Sequence, residues 1–187
     1  MRILGISGSL RAASYNTALL AAAAELAPAG VELEIYEGLE QLPPYNEDRD
    51  GDHPPAEVAR LRRAIESADA VLLATPEYNG TVPGQIKHAV DWASRPHGPD
   101  ACLWGKPTAA IGASVTDYGA LWAQDQLRRS LGIAGARVLD AELAVGAAAQ
   151  LFDSDGTLTD PETRERLSEV VDRLIEHHDS FAAVAAA

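Results

Sequence analysis

Residues 70–74, Ala-Val-Leu-Leu-Ala, form a run without a single polar side chain, set between two stretches that repeat at helical spacing. A strand with no polar side has to be covered on both faces, as strands of a parallel sheet flanked by helices are. Before it, Val58, Leu61, Ile65 and Ala68 share one helical face. After it, Ile86, Ala89, Val90 and Ala93 do the same within a helix expected over Pro83–Ser94.

The same alternation runs through the chain. Arg2–Ile6 reads as a short strand, and Thr17–Ala27 as a helix stopped by Pro28 and Gly30. Val31–Tyr36 alternates apolar with acidic residues, the pattern of a partly exposed edge strand. Gly38–Pro55 holds four prolines and several acids, which predicts a long surface loop. Thr108–Ala113 is expected to be the fourth strand, Leu121–Leu131 a helix and Val138–Val145 the fifth strand. A last helix starts near Pro161 with Asp160 as N-cap and carries Leu167, Val170, Val171, Leu174, Ile175 and Phe181 at spacings of three and four. These elements predict an α/β fold. It is a doubly wound five-stranded parallel sheet with helices on both faces, strand order 2-1-3-4-5, in one domain spanning residues 1–187.

Composition removes several functions. A net charge of −13 without a basic stripe argues against a nucleic-acid surface. No stretch approaches the roughly 18 apolar residues of a membrane helix, and no secretory leader is expected. The lone Cys102 has no internal disulfide partner. A soluble cytoplasmic protein is expected, with Cys102 a small residue in the loop before Trp104.

In such sheets ligands bind beyond the carboxyl ends of the strands, and three loops leave strands there. The first, Gly8–Asn16, offers Ser9, Ser14 and Asn16 as polar partners, with Arg11 as a guanidinium fork. The helix that follows aims free N–H groups at the loop, so a phosphate monoester would be well matched. The lysine of a nucleotide-triphosphate loop and the third glycine of a dinucleotide fingerprint are both absent. A serine-rich helix cap with an exposed arginine is the other reading. The second loop, Thr75–Pro83, combines two prolines and a glycine with Tyr78 and Asn79, which suits a flat heteroaromatic ring or a plain turn and cap. The third is Ala113–Gly119.

The string GSLRAASYN, taken together with TPEYNGTVPGQIKHAVDWAS, resembles the NADPH-dependent FMN reductase family, and the resemblance extends over nearly the whole chain. It implies a flavodoxin-like fold and non-covalent FMN. Ser9, Arg11, Ser14 and Asn16 would hold the phosphate, with Leu10 to Tyr15 wrapping it. Pro76, Glu77, Tyr78, Asn79 and Gly80 would border the ring, and Ser114 would close a third side. NADPH or NADH would deliver a hydride, and a small acceptor (quinone, chromate, azo compound or free flavin) would take the electrons. The flavin carries that chemistry, so no general acid or base is expected, and Glu77 is expected to point outward or cap nearby backbone. A non-enzymatic flavin-binding electron carrier or redox sensor is the competing class.

The third loop departs from the family pattern at Ala113, Ala120 and Trp122, where a serine, a glycine and an arginine are usual. Asp117 and Tyr118 stand beside the expected substrate opening. The resemblance implies a homodimer or a homotetramer, with the helix after this loop at the subunit contact.

Two other motifs are discounted. Residues 153–158, Asp-Ser-Asp-Gly-Thr-Leu, spell a dehalogenase-type phosphatase signature, but only one helix follows and no lysine occurs after Lys106. His177-His178 lacks ligand spacing, so no metal is expected.

Overall fold

The computed structural model describes the backbone of residues 1–185 and side chains through Ser180, so the predicted core position of Phe181 lies outside the described side chains. The strands are β1 (Arg2–Ser7), β2 (Glu32–Ile35), β3 (Ala70–Ala74), β4 (Pro107–Ala113), β5 (Arg137–Val138) and β6 (Ala144–Val145). All pair in parallel in the order β2-β1-β3-β4-β5, with β6 also on β4. The helices are α1 (Tyr15–Leu26), α2 (Ala56–Ser67), α3 (Gly84–Ala93), α4 (Leu121–Ile133) and α5 (Pro161–Ala185). The architecture is flavodoxin-like, as the alternation predicts.

Every residue of β3 is buried, because the pleat sends its side chains to two cores. Ala70, Leu72 and Ala74 meet Leu19, Leu20, Leu167 and Leu174 of α1 and α5. Val71 and Leu73 meet Leu61, Ile65, Ile86 and Leu127 of α2, α3 and α4. β2 is the edge, with Glu32 and Glu34 facing water.

The fifth strand is not the continuous Val138–Val145 run expected from its hydropathy. Val138 pairs with Thr108 and Ala144 with Gly112, so six residue steps on one chain span four on the other. The surplus is looped out at residues 139–143. The side chains of Arg128 and Arg173 take up the carbonyls of Ala141 and Asp140 there. Leu139, Ala141 and Leu143 remain buried, which is why the segment reads as a strand.

Gly38–Pro55 is likewise more than a surface loop. Leu39 and Leu42 are buried, and the Gln85 side-chain amide of α3 donates to both their carbonyls at 2.7 Å. The Trp92 indole donates to Pro43 O at 2.8 Å, and Arg62 grips Asp50 with two contacts of 2.8 and 2.9 Å. The segment is a strap fastened across α2 and α3.

The 153–158 signature forms a turn. Asp153 Oδ1 accepts the N–H groups of Asp155 and Thr157, and Phe152 bridges Leu158. Asp160 caps α5 as expected, accepting from Thr163 N–H at 2.8 Å and from its hydroxyl at 2.7 Å. Among the described residues, no helix is long and apolar enough to cross a membrane, and no group of histidines, cysteines and acids could hold a metal ion.

Candidate functional site

The register of β1, β3 and β4 brings the three predicted loops to one rim. Gly8 N–H donates to Ala74 O at 2.7 Å and Thr75 N–H to Ile111 O at 2.9 Å, so each loop leaves beside its neighbour.

In the first loop α1 begins earlier than the hydropathy suggests, because Ser14 is its N-cap and accepts from Thr17 N–H at 3.2 Å. Ala18 N–H bonds Ser14 O. The N–H groups of Tyr15 and Asn16 have no partner among the described residues and point out of the helix start. Arg11 is exposed, and its guanidinium is unpartnered among the described residues. Ser9 Oγ accepts Arg11 N–H at 3.4 Å, and Leu10 is half exposed. The Tyr15 ring packs on Phe152, with centroids 5.3 Å apart, so only its backbone belongs to the rim.

Asn16 has a structural partner besides the phosphate role the resemblance implies. It is buried, donates from Nδ2 to Ala113 O at 3.0 Å and accepts Ala113 N–H on Oδ1 at 2.9 Å. That two-bond bridge ties the first loop to the end of β4. The bridge uses one Nδ2 hydrogen and one Oδ1 lone pair, and it gives the side chain a structural partner without any ligand.

In the second loop Thr75 and Pro76 are buried under the rim. Tyr78 and Thr81 exchange backbone hydrogen bonds of 3.1 and 3.2 Å around Asn79 and Gly80, whose φ values are +54° and +73°. Two successive left-handed residues define the tight turn that Asn-Gly favours. It lifts Tyr78 into solvent at 47% exposure. Glu77 neither points outward nor caps its own loop. Its Oε2 accepts the N–H of Ala123 in the first turn of α4 at 3.2 Å. Further along α4, Gln126 Nε2 donates to Gly80 O at 3.3 Å and its Oε1 accepts the Thr81 hydroxyl. Thus α4 holds both sides of the turn.

In the third loop Ser114 Oγ accepts Thr116 N–H at 3.2 Å, while Ser114 N–H bonds Val145 O. Asp117 and Tyr118 are exposed, and the Tyr118 ring lies against Trp122 with centroids 4.9 Å apart. Ala120 adopts φ +62°, the left-handed conformation that explains why a glycine is usual there. The buried Gln124 braces this turn by donating to Gly119 O at 3.0 Å.

Two other groups stand apart from the rim. Cys102 is buried, and its thiol donates to Ala93 O at 3.2 Å. Burial first, then the Glu66 charge, pushes that thiol up to about 12, so it is no nucleophile near neutrality. A groove of about 1010 Å³ lies between β2 and α2 and is lined by Arg2, Glu34, Arg60 and Arg63. None of the three loops reaches it.

Pattern reading missed Glu77, Gln124 and Gln126 as structural ties. The absence of any capping side chain at the start of α4 is the one available signal.

Comparison with known proteins now bears on this rim. The family model for NADPH-dependent FMN reductase matches residues 1–150. An NAD(P)H-dependent FMN reductase of Pseudomonas aeruginosa is 41% identical over 175 residues, covering 93% of each chain. A quinone reductase of Pseudomonas putida is 43% identical over 170 residues, covering 90% of this chain and 89% of its own. The structure of FerB, a flavoenzyme NAD(P)H:(acceptor) oxidoreductase from Paracoccus denitrificans, superposes with a TM-score of 0.85 at 37% identity, covering 96% of this chain and 97% of its own. A sheet order, a three-loop rim and relatives that span nearly the full chain agree, and the chain belongs to the NADPH-dependent FMN reductase family.

Proposed function

We propose that this chain is an FMN-dependent NAD(P)H oxidoreductase that reduces a small acceptor, a quinone above all. The observation that carries the reading is the donor set of the first loop. The N–H groups of Tyr15 and Asn16 are unpartnered at the start of α1, and the exposed Arg11 guanidinium in the loop just before them has no partner among the described residues, a donor set suited to a terminal phosphate. Ser9 adds a hydroxyl, while Leu10 and Ser14 complete the wrap. Pro76 to Gly80 form the opposite wall, with Tyr78 offering an aromatic face and Ser114 closing the third side. These residues fit FMN. When bound, that group supplies hydride chemistry, accepting from NADPH or NADH and delivering to the acceptor. The protein's part is to hold and orient it and to leave one face open beside Asp117 and Tyr118.

Chromate, azo compounds and free flavin are further acceptors in this reading. Quinones come first because one relative 43% identical to this chain is a quinone reductase. A homodimer is the proposed assembly, supported by the exposed Trp122 and Ile133 of α4 and Tyr118 in the loop before it, with a homotetramer as the alternative. The buried thiol suits a reducing cytoplasm.

The test is direct. The purified protein, incubated with FMN and desalted, is expected to keep a yellow chromophore that NADPH or NADH bleaches anaerobically and a quinone restores. A protein that remains colourless refutes the reading. Bound flavin that pyridine nucleotide does not bleach leaves the electron-carrier class instead.

A further inference from the structure

We propose that Glu77 is a positioning residue: it supplies the missing cap of α4 from the flavin loop and, through that contact, sets both the geometry of the Asn79–Gly80 turn and the charge beside the ring. The inference rests on the FMN reading above but concerns one side chain that the family resemblance places only at the ring's border.

The argument starts from α4. Its N-cap position is Ala120, which has no side chain able to accept a hydrogen bond and sits in a left-handed conformation. Its first turn contains no acidic residue. Leu121 N–H bonds Tyr118 O, and Gln124 N–H bonds Ala120 O. Ala123 N–H would be unsatisfied without help, and the half-buried Glu77, 46 positions earlier, provides the acceptor at 3.2 Å. Gln126, on the same helical face three residues beyond Ala123, bonds Gly80 and Thr81. The turn bearing Tyr78 and Asn79 is therefore templated by a helix that belongs to the third loop. Neither loop can shift without breaking these ties.

The carboxylate also has an electrostatic role. A helix start carries about half a positive charge, and a full negative charge placed on it leaves the neighbourhood net negative. A negative surrounding favours the oxidised ring over the anionic reduced one. Replacing the carboxylate by a neutral amide keeps an acceptor oxygen but leaves the positive helix end uncompensated, which favours the reduced ring. Geometry and charge are thus separable by two substitutions.

The experiment compares wild type, Glu77→Ala and Glu77→Gln in three measurements. The first is hydrogen exchange of the apoprotein, read at the Tyr78, Thr81 and Ala123 amides. Faster exchange is expected in the alanine variant and near-native exchange in the glutamine variant. The second is FMN dissociation by fluorescence titration, where losing a cap is expected to weaken the alanine variant roughly fivefold. The third is the midpoint potential of the bound flavin. In the glutamine variant the reduced-to-oxidised affinity ratio is expected to rise roughly two- to fivefold. For a two-electron couple that is a positive shift of about 10–20 mV. Melting curves of each variant separate these effects from global unfolding. Unchanged exchange and FMN affinity in Glu77→Ala overturn the clamp. An unshifted potential in Glu77→Gln overturns the charge role. A wild-type protein that takes up no FMN overturns the cofactor reading and the charge role with it, while the exchange data still decide the clamp.

Discussion

Asn16 separates a binding role from a structural one, because its side chain is committed before any ligand arrives. Asn16→Ala removes both hydrogen bonds to Ala113, a residue only 3% exposed. Each stranded backbone group costs about 1–3 kcal/mol when water cannot replace the partner. With water reaching one of the two, the apoprotein is expected to lose about 2 kcal/mol, a sizeable share of the roughly 5–15 kcal/mol typical of a domain. For a chain of this size that corresponds to a fall in Tm of about 4–8 °C. Urea denaturation of the FMN-free protein measures it. Asn16→Asp sharpens the test. A carboxylate keeps the acceptor for Ala113 N–H but faces Ala113 O without a donor, so burial and that carbonyl would raise its folded-state pKa above the ordinary value near 3.9. The aspartate variant is then least stable above its folded pKa and recovers as pH falls through it, since the protonated acid can donate to Ala113 O. If the amide served only a phosphate, apoprotein stability would be untouched. A loss below about 1 kcal/mol in Asn16→Ala, or no acid recovery in Asn16→Asp, refutes the bridge.

Three further outcomes are expected. Ala120→Gly should stabilise the protein by about 0.5–1 kcal/mol, because the left-handed backbone there carries a penalty only for a residue with a Cβ; a neutral or negative change in a melting curve counts against it. Arg11→Ala should weaken FMN retention by about 1–3 kcal/mol with little change in apoprotein stability, and equilibrium dialysis showing equal affinity removes Arg11 from the site. Cys102 should resist maleimide at neutral pH until the protein unfolds. Its raised folded-state pKa makes stability flat below pH 9.0 and lower as pH climbs toward about 12, and rapid labelling of the native protein contradicts this.

Much of the fold was legible in the amino-acid order because burial leaves a periodic trace. The apolar run of β3, the stripes of α2 and α3, and the acidic alternation of β2 each report which sides are covered. Val138–Val145 misled for the same reason. Hydropathy records that Leu139, Ala141 and Leu143 are buried, but not whether their backbone follows the neighbouring strand. The strap at Gly38–Pro55 looked exposed because its prolines and acids outnumber Leu39 and Leu42, and because Gln85, which holds both their carbonyls, and Trp92, which holds that of Pro43, lie some forty to fifty residues away.

The site divides along the same line. Local chemistry alone determined that Arg11 and the helix start suit an anion and that Asn79-Gly80 makes a tight turn, since these depend on adjacent residues and on backbone preference. Only tertiary structure decided that Asn16 belongs to Ala113 and Glu77 to Ala123, pairs separated by 97 and 46 positions. A side chain's partner is chosen by what the packed sheet and helices carry to it. That choice has no signature at the residue itself until the chain has folded.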